Sequence, residues 1–199
     1  MVMNTRKILF LTGITAIGLT LVYLFFFELP ENKISSPKEF TIGSPFSLID
    51  HRGMVITEQD FVGHPSALFF GFTHCPEVCP TTMSKLSMLL DELGTQAKQI
   101  KVYFVTLDPE RDTPDVLMDF LSAFNERFIA ITGNINDVES LAKSWKVYWK
   151  RTETSDGGYT LDHTASVLLL NSKSNFVGTI GWKEEEAVAL EKLKRLAEK

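Results

Sequence analysis

The sequence predicts a three-layer α/β sandwich carried behind an N-terminal membrane-spanning helix. Three observations predict it. Continuous apolar runs of strand length alternate with runs whose apolar residues recur at helical spacing. The last two strand runs flank a short polar turn, the mark of a closing hairpin. Residues 8–27 contain no charged side chain.

Arg6 and Lys7 stand before that uncharged stretch, ILFLTGITAIGLTLVYLFFF, which matches the roughly 20 residues a bilayer-crossing helix needs. A cleaved signal peptide has a shorter apolar core and then a small-x-small motif, which Phe25-Phe26-Phe27-Glu28-Leu29-Pro30 does not offer. A transmembrane anchor is therefore expected at 8–27, with 1–7 kept cytoplasmic by its basic pair and the rest exported. That places the domain on the periplasmic side of a bacterial inner membrane, as a single-pass protein. The mitochondrial inner membrane, with the domain in the intermembrane space, is the physically equivalent alternative.

Residues 28–39 are polar, contain Pro30 and Pro37, lack periodicity and read as a tether. The domain expected at 40–199 is long enough to bury its own core. With 20 basic against 25 acidic side chains, and two of the basic ones ahead of the anchor, the chain shows no basic stripe for nucleic acid.

Within the domain, 66–72 (SALFFGF) is a run expected of a strand buried on both faces. The cysteine segment follows it. Met83, Leu86, Leu89, Leu90 and Leu93 then predict a helix over 80–93, stopped by Gly94. A strand is expected at 102–107, broken by Asp108-Pro109, and a helix over 113–124 with Thr113 as N-cap and Pro114 at its first position. Residues 128–131 predict a short strand and 135–145 a helix leading into Val147-Tyr148-Trp149. Ser155 to Tyr159 form a turn cluster, 166–170 a buried strand, 171–175 a hairpin turn and 176–180 its returning strand. Ala187, Leu190, Leu193 and Leu196 mark a final amphipathic helix over 183–198. This order fits a thioredoxin-like sandwich, whose parallel centre gains antiparallel strands from the closing hairpin.

GFTHCPEVCP holds the only two cysteines, Cys75 and Cys79. As a structural disulfide the pair would close a tiny loop and constrain the unfolded chain little. At the start of a helix, free N–H groups and the dipole favour a thiolate, which suits redox chemistry. The spacing is C-x-x-x-C, and if the helix begins at Cys75 both sulfurs share one face as a soft donor pair for Cu(I) or Zn(II). A third donor is then needed. Among His51, His64, His74 and His163, the last is favoured because it directly precedes a buried strand that would lie beside the one leading to Cys75.

Many thioredoxin-like redox enzymes place a cis-proline before that strand. Here no proline follows Pro114, which shifts the weight from disulfide exchange toward metal binding. His51 and His64 are expected to be exposed, His74 to diverge from the sulfurs, and Met83 to be core, with Met88 a sulfur donor in principle. Asp108 and Asp162 are candidates to hold a ligand's ring N–H. Arg111 and Asp112 are assigned to the start of the following helix.

The domain resembles the Sco/SenC family of copper-assembly proteins. GFTHCPEVCP with Thr81-Thr82-Met83, VTLDPERDTPDVLMDF from Val105, ITGN from Ile131 and YTLDHTASVLLL from Tyr159 match its blocks in order. The resemblance implies a membrane-anchored metallochaperone binding one copper ion, Cu(I) or Cu(II), through Cys75, Cys79 and His163. It further implies help in loading the copper A centre of cytochrome c oxidase subunit II or another copper client, with a thiol reductant keeping the pair open. A membrane-tethered thiol-disulfide oxidoreductase, with Cys75 and Cys79 as its redox-active residues, is the competing expectation.

Overall fold

The computed structural model of the protein describes residues 43–198. The expected cytoplasmic segment 1–7, anchor 8–27 and tether 28–39 lie outside these residues, as do the domain's expected first residues and Lys199. Among the described residues no helix is long and apolar enough to cross a membrane.

A hairpin of β1 (Ser47–Asp50) and β2 (Val55–Thr57) opens the described chain and is turned at Gly53, whose φ of +79° suits a residue without a Cβ. The alternating core follows: β3 (Ser66–Gly71), α1 (Val78–Leu93), β4 (Lys101–Thr106), α2 (Pro114–Leu121), β5 (Phe128–Thr132) and α3 (Ile135–Ser144). A second hairpin, β6 (Trp149–Glu153) with β7 (Tyr159–His163), precedes the closing β8 (Val167–Leu170), β9 (Phe176–Ile180) and α4 (Glu186–Ala197).

Seven strands make one sheet in the order β2-β1-β5-β4-β3-β8-β9, while β6 and β7 pair with each other alone. β3, β4 and β5 run parallel because α1 and α2 carry the chain back between them; the flanking pairs are antiparallel. All six residues of β3 are buried, so both faces of the sheet's centre are covered. Phe69, Phe104, Tyr103, Met83, Leu86 and Leu90 fill that core, each contributing about 1.5–3 kcal/mol by leaving water.

This is the expected sandwich, with three differences. Neither the β1–β2 hairpin nor the strands flanking Ser155–Tyr159 were expected, because they are short and mostly polar: every residue of β6 after Trp149 is exposed. The helix after the cysteines begins at Val78, ahead of the expected Pro80. Pro80 is the third helical residue, where its missing N–H is one that no helical carbonyl would accept in any case. At the other ends, α2 stops at Leu121 and α4 starts at Glu186, each shorter than the expected range.

Gly71, the last residue of β3, fixes how closely α1 approaches the sheet. A Cβ there would lie 2.7 Å from Cys79 Sγ and 2.9 Å from a Phe104 ring carbon. Gly71→Ala is expected to destabilise the protein by about 1–3 kcal/mol in urea unfolding and to displace the Cys79 sulfur.

Candidate metal centre

The end of β3 delivers Phe72, Thr73, His74 and Cys75 into a loop before α1, and the loop closes on itself through a hydrogen bond from Cys75 N–H to the Phe72 carbonyl at 3.2 Å. Cys75 lies before the helix, while Cys79 is the second helical residue. The condition that the helix begin at Cys75 is therefore not met. The sulfurs meet because Cys75 folds back on the helix start, where Cys79 N–H donates to Cys75 Sγ at 3.4 Å. This N–H is one that a helix leaves free at its first turn, so the sulfur acts as a cap.

His163 arrives from the other half of the chain. β8 pairs antiparallel with β3, Leu68 opposite Leu168, and β7 ends at His163 just ahead of it. Thr164 secures the turn: its N–H donates to the Tyr148 carbonyl at 2.9 Å, and its hydroxyl accepts from Tyr148 N–H at 3.0 Å. His163 Nδ1 is 2.9 Å from the Thr164 carbonyl. A carbonyl only accepts, so Nδ1 carries the proton and Nε2 keeps its lone pair. Nε2 lies 3.5 Å from Cys79 Sγ, with the rings of Phe69 and Phe72 edge-on against the imidazole at 6.1 and 5.8 Å.

The two sulfurs and this imidazole thus gather three ligand atoms within 4.8 Å of one another, the donor number and softness that suit copper in a low-coordinate site. The sulfurs differ. Cys75 is 9% exposed and Cys79 fully buried. Hydrogen bonding from Cys79 and from the helix N–H holds the Cys75 thiol far below its usual range despite burial. The same sulfur–sulfur hydrogen bond, together with burial, pushes Cys79 up. These opposite shifts favour the thiolate on Cys75 and the proton on Cys79.

Two carboxylates brace the centre, and sequence reasoning missed one of them. Asp112, assigned to the start of α2, is fully buried. It accepts from Thr73 N–H at 3.0 Å, Thr73 hydroxyl at 2.6 Å and Thr106 hydroxyl at 2.6 Å, and so ties the cysteine loop to the end of β4. Asp108 accepts from Arg111 and, at 2.8 Å, from the Tyr159 hydroxyl. The Arg111 guanidinium stacks 3.7 Å over the Tyr159 ring, so this loop also grips β7, the strand that ends in His163.

Neither Asp108 nor Asp162 holds the His163 ring, as had been expected. Asp162 is exposed and accepts from Thr152 across the hairpin, and the ring's partner is the Thr164 carbonyl. His74 is exposed, its Nδ1 3.1 Å from the Thr73 hydroxyl, and is not among the gathered donors. His51 and His64 are not exposed as expected: each is partly buried, His51 accepting from Ala130 N–H and His64 lying between Ser66 and the Asp60 carbonyl. Met83 is core, and Met88 is exposed.

The SCO1/SenC family model matches residues 35–198. The chain is 33% identical over 153 residues to a SCO2-like protein of Rickettsia prowazekii, covering 76% of this chain and 72% of that protein. It is 36% identical over 156 residues to the mitochondrial protein SCO2 of Saccharomyces cerevisiae, covering 77% and 52%. Against the mitochondrial SCO1 homologue 1 of Arabidopsis thaliana the match is 36% over 141 residues, 70% of this chain but 42% of the plant protein. The chain thus spans about half or less of the yeast and plant relatives' length. Among solved structures, Bradyrhizobium japonicum ScoI with copper bound superposes with a TM-score of 0.72 at 37% identity, over 78% of this chain and 99% of that one. Arabidopsis thaliana ScoI with copper bound gives 0.75 at 32% identity, over 79% and 99%.

The asymmetric sulfurs make a direct test. Under limiting iodoacetamide, mass spectrometry is expected to find Cys75 modified before Cys79. Because the Cys75 pKa is lowered, its thiolate persists as pH falls. Its alkylation rate should stay level between about pH 8 and pH 6, where an ordinary thiol loses about tenfold per unit. Asp112→Asn keeps the shape but turns one accepting oxygen into a donor facing donors; a loss of about 2 kcal/mol in urea unfolding and weaker metal binding are expected.

Proposed function

This chain belongs to the SCO1/SenC family, and on that premise we propose that it is a membrane-anchored copper chaperone that carries one copper ion between Cys75, Cys79 and His163. The observation that carries the proposal is the convergence of the three donors from opposite halves of the chain within 4.8 Å. The client is the copper A centre of cytochrome c oxidase subunit II or another copper protein, and a thiol reductant keeps the cysteines open. The anchor is residues 8–27, and the domain faces the periplasm or, in a mitochondrion, the intermembrane space. A bacterial relative in Rickettsia and mitochondrial ones in yeast and Arabidopsis support the two placements alike.

Copper is cargo here, and the residues' task is to hold it tightly without enclosing it. Cys75 supplies the sulfur that is already a thiolate. Cys79 gives up its proton as the metal enters, which makes loading release a proton. His163 presents Nε2, oriented by its Nδ1 hydrogen bond to Thr164. Cys75 is the more exposed sulfur, so a client ligand approaches from its side while Cys79, behind it, still holds.

One observation favours thiol-disulfide exchange as a second reading: a thiolate directly hydrogen-bonded to a buried thiol is the arrangement of an attacking and a resolving cysteine. Cys75 would attack a client disulfide and Cys79 would resolve the mixed disulfide. The two cysteines lose two electrons and the one proton of Cys79, and the client's disulfide gains them as one thiolate and one thiol. The resulting Cys75–Cys79 disulfide has no thiolate left for copper.

Titration of the reduced protein with Cu(I) against a competing chelator decides between the readings. One equivalent is expected to bind, and His163→Ala should weaken it by at least about tenfold. Equal affinity in both proteins removes the three-ligand site, and catalytic disulfide reduction that survives His163→Ala favours the oxidoreductase.

A further inference from the structure

A concavity of about 300 Å³ lies at the edge of the sheet opposite the cysteines. Ser66 and Lys101, the first residues of β3 and β4, pair at that edge, whereas Gly71 and Thr106 end the strands beside the cysteine loop. Six residues of strand separate the two edges by about 20 Å. His51, Arg52, Lys98, Lys101 and Arg127 line the concavity, with Glu126 as its one carboxylate.

Such a gathering of cations is unexpected in a chain of net charge −5, where acids are in excess to pair with them. Arg52 is committed to Asp50. Lys98, Lys101 and Arg127 take part in none of the ion pairs of the described residues, and neither does Glu126. Arg127 Nη1 is buried with no hydrogen-bond acceptor. The Arg127 guanidinium has no hydrogen-bond or ion-pair partner among the described residues, and buried donors are nearly always satisfied, so in a residue that lines a cationic hollow this points to an acceptor that comes from outside the chain. His51 adds a donor. Its Nδ1 accepts from Ala130 N–H at 3.2 Å, and burial keeps the ring neutral, which leaves its one proton on Nε2.

We propose that this concavity binds a phosphate group, with Arg127 as the anchoring donor and Lys98 and Lys101 as the neutralising charges. A phosphate carries several acceptors and one charge as a diester or close to two as the free anion, which matches a planar guanidinium fork flanked by two ammonium groups better than a lone carboxylate does. The phosphate comes from free inorganic phosphate or from a phospholipid headgroup. In the second case the pocket holds one edge of the sheet on the bilayer, and the copper ligands face away from it at the other edge.

The test uses the full reduced chain in maltoside micelles, titrated calorimetrically with inorganic phosphate and, separately, with dihexanoyl-phosphatidylglycerol below its micellar concentration. Saturable binding of at least one probe is expected, weakened about tenfold or more by Arg127→Gln and by the double change Lys98→Gln with Lys101→Gln. Cu(I) uptake by the same variants should match the unaltered protein, which shows that they are folded. Binding of phosphate alone assigns the free anion, and tighter binding of the lipid assigns the headgroup. No saturable binding of either probe, or equal affinity in folded variants, overturns the proposal.

Discussion

The metal centre depends on one buried carboxylate. Asp112 has no exposed surface, and a carboxylate in that position is tolerable only when hydrogen bonds replace the water it has lost. Thr73 supplies two and Thr106 a third, while the Asp112 backbone carbonyl takes the Thr132 hydroxyl at 3.0 Å. One residue therefore joins the cysteine loop, β4 and β5. The loop is short and carries Pro76, with Pro80 just inside the helix that follows, so few backbone N–H groups are available to hold it from within. Its position is set from outside, by a residue more than thirty positions further along the chain.

The same loop that carries Asp112 carries Asp108 and Arg111, and these grip Tyr159 at the start of β7. The segment from Asp108 to Asp112 is thus fastened to both contributors to the donor cluster, the cysteine loop on one side and the His163 hairpin on the other. That matters because β6 and β7 are not part of the main sheet and bury little apolar surface. A hairpin held mainly by its own ladder would swing His163 through a range of positions. The stacked guanidinium, the Tyr159 hydroxyl and the Thr164–Tyr148 hydrogen bonds restrict it at both ends.

That Cys75 and His163 lie near each other was legible in the sequence because each borders a strongly apolar run. The strand before Cys75 and the strand after His163 announce themselves by burial, and their antiparallel pairing puts the end of the first beside the start of the second. Asp112 was not legible for the opposite reason. In DPERDTP a carboxylate next to a helix N-cap looks the same whether it is solvated or buried, and only the tertiary position of Thr73 and Thr106 distinguishes the two. His51 and His64 were misjudged in the same way, since their partners are backbone groups that leave no mark in composition. The polar strands of β6 and β7 carried no periodicity to read, though the turn between them did.

The three residues between the cysteines, which leave Cys75 ahead of the helix and Cys79 inside it, explain why this pair is suited to metal. Because α1 begins at Val78, Cys75 is free of helical geometry and can turn its sulfur onto a free N–H of the first turn, while Cys79 is fixed inside the helix against Gly71. One sulfur is fully buried inside the helix; the other, on a loop, is nearly so and keeps only a small opening to solvent. A rigid inner donor preserves the site when the outer one is engaged by a partner, and the absence of a Cβ at position 71 is what lets that inner sulfur lie so close to the sheet. The asymmetry that makes Cys75 the reactive thiolate is therefore the same asymmetry that lets a bound ion be approached from one side and retained from the other.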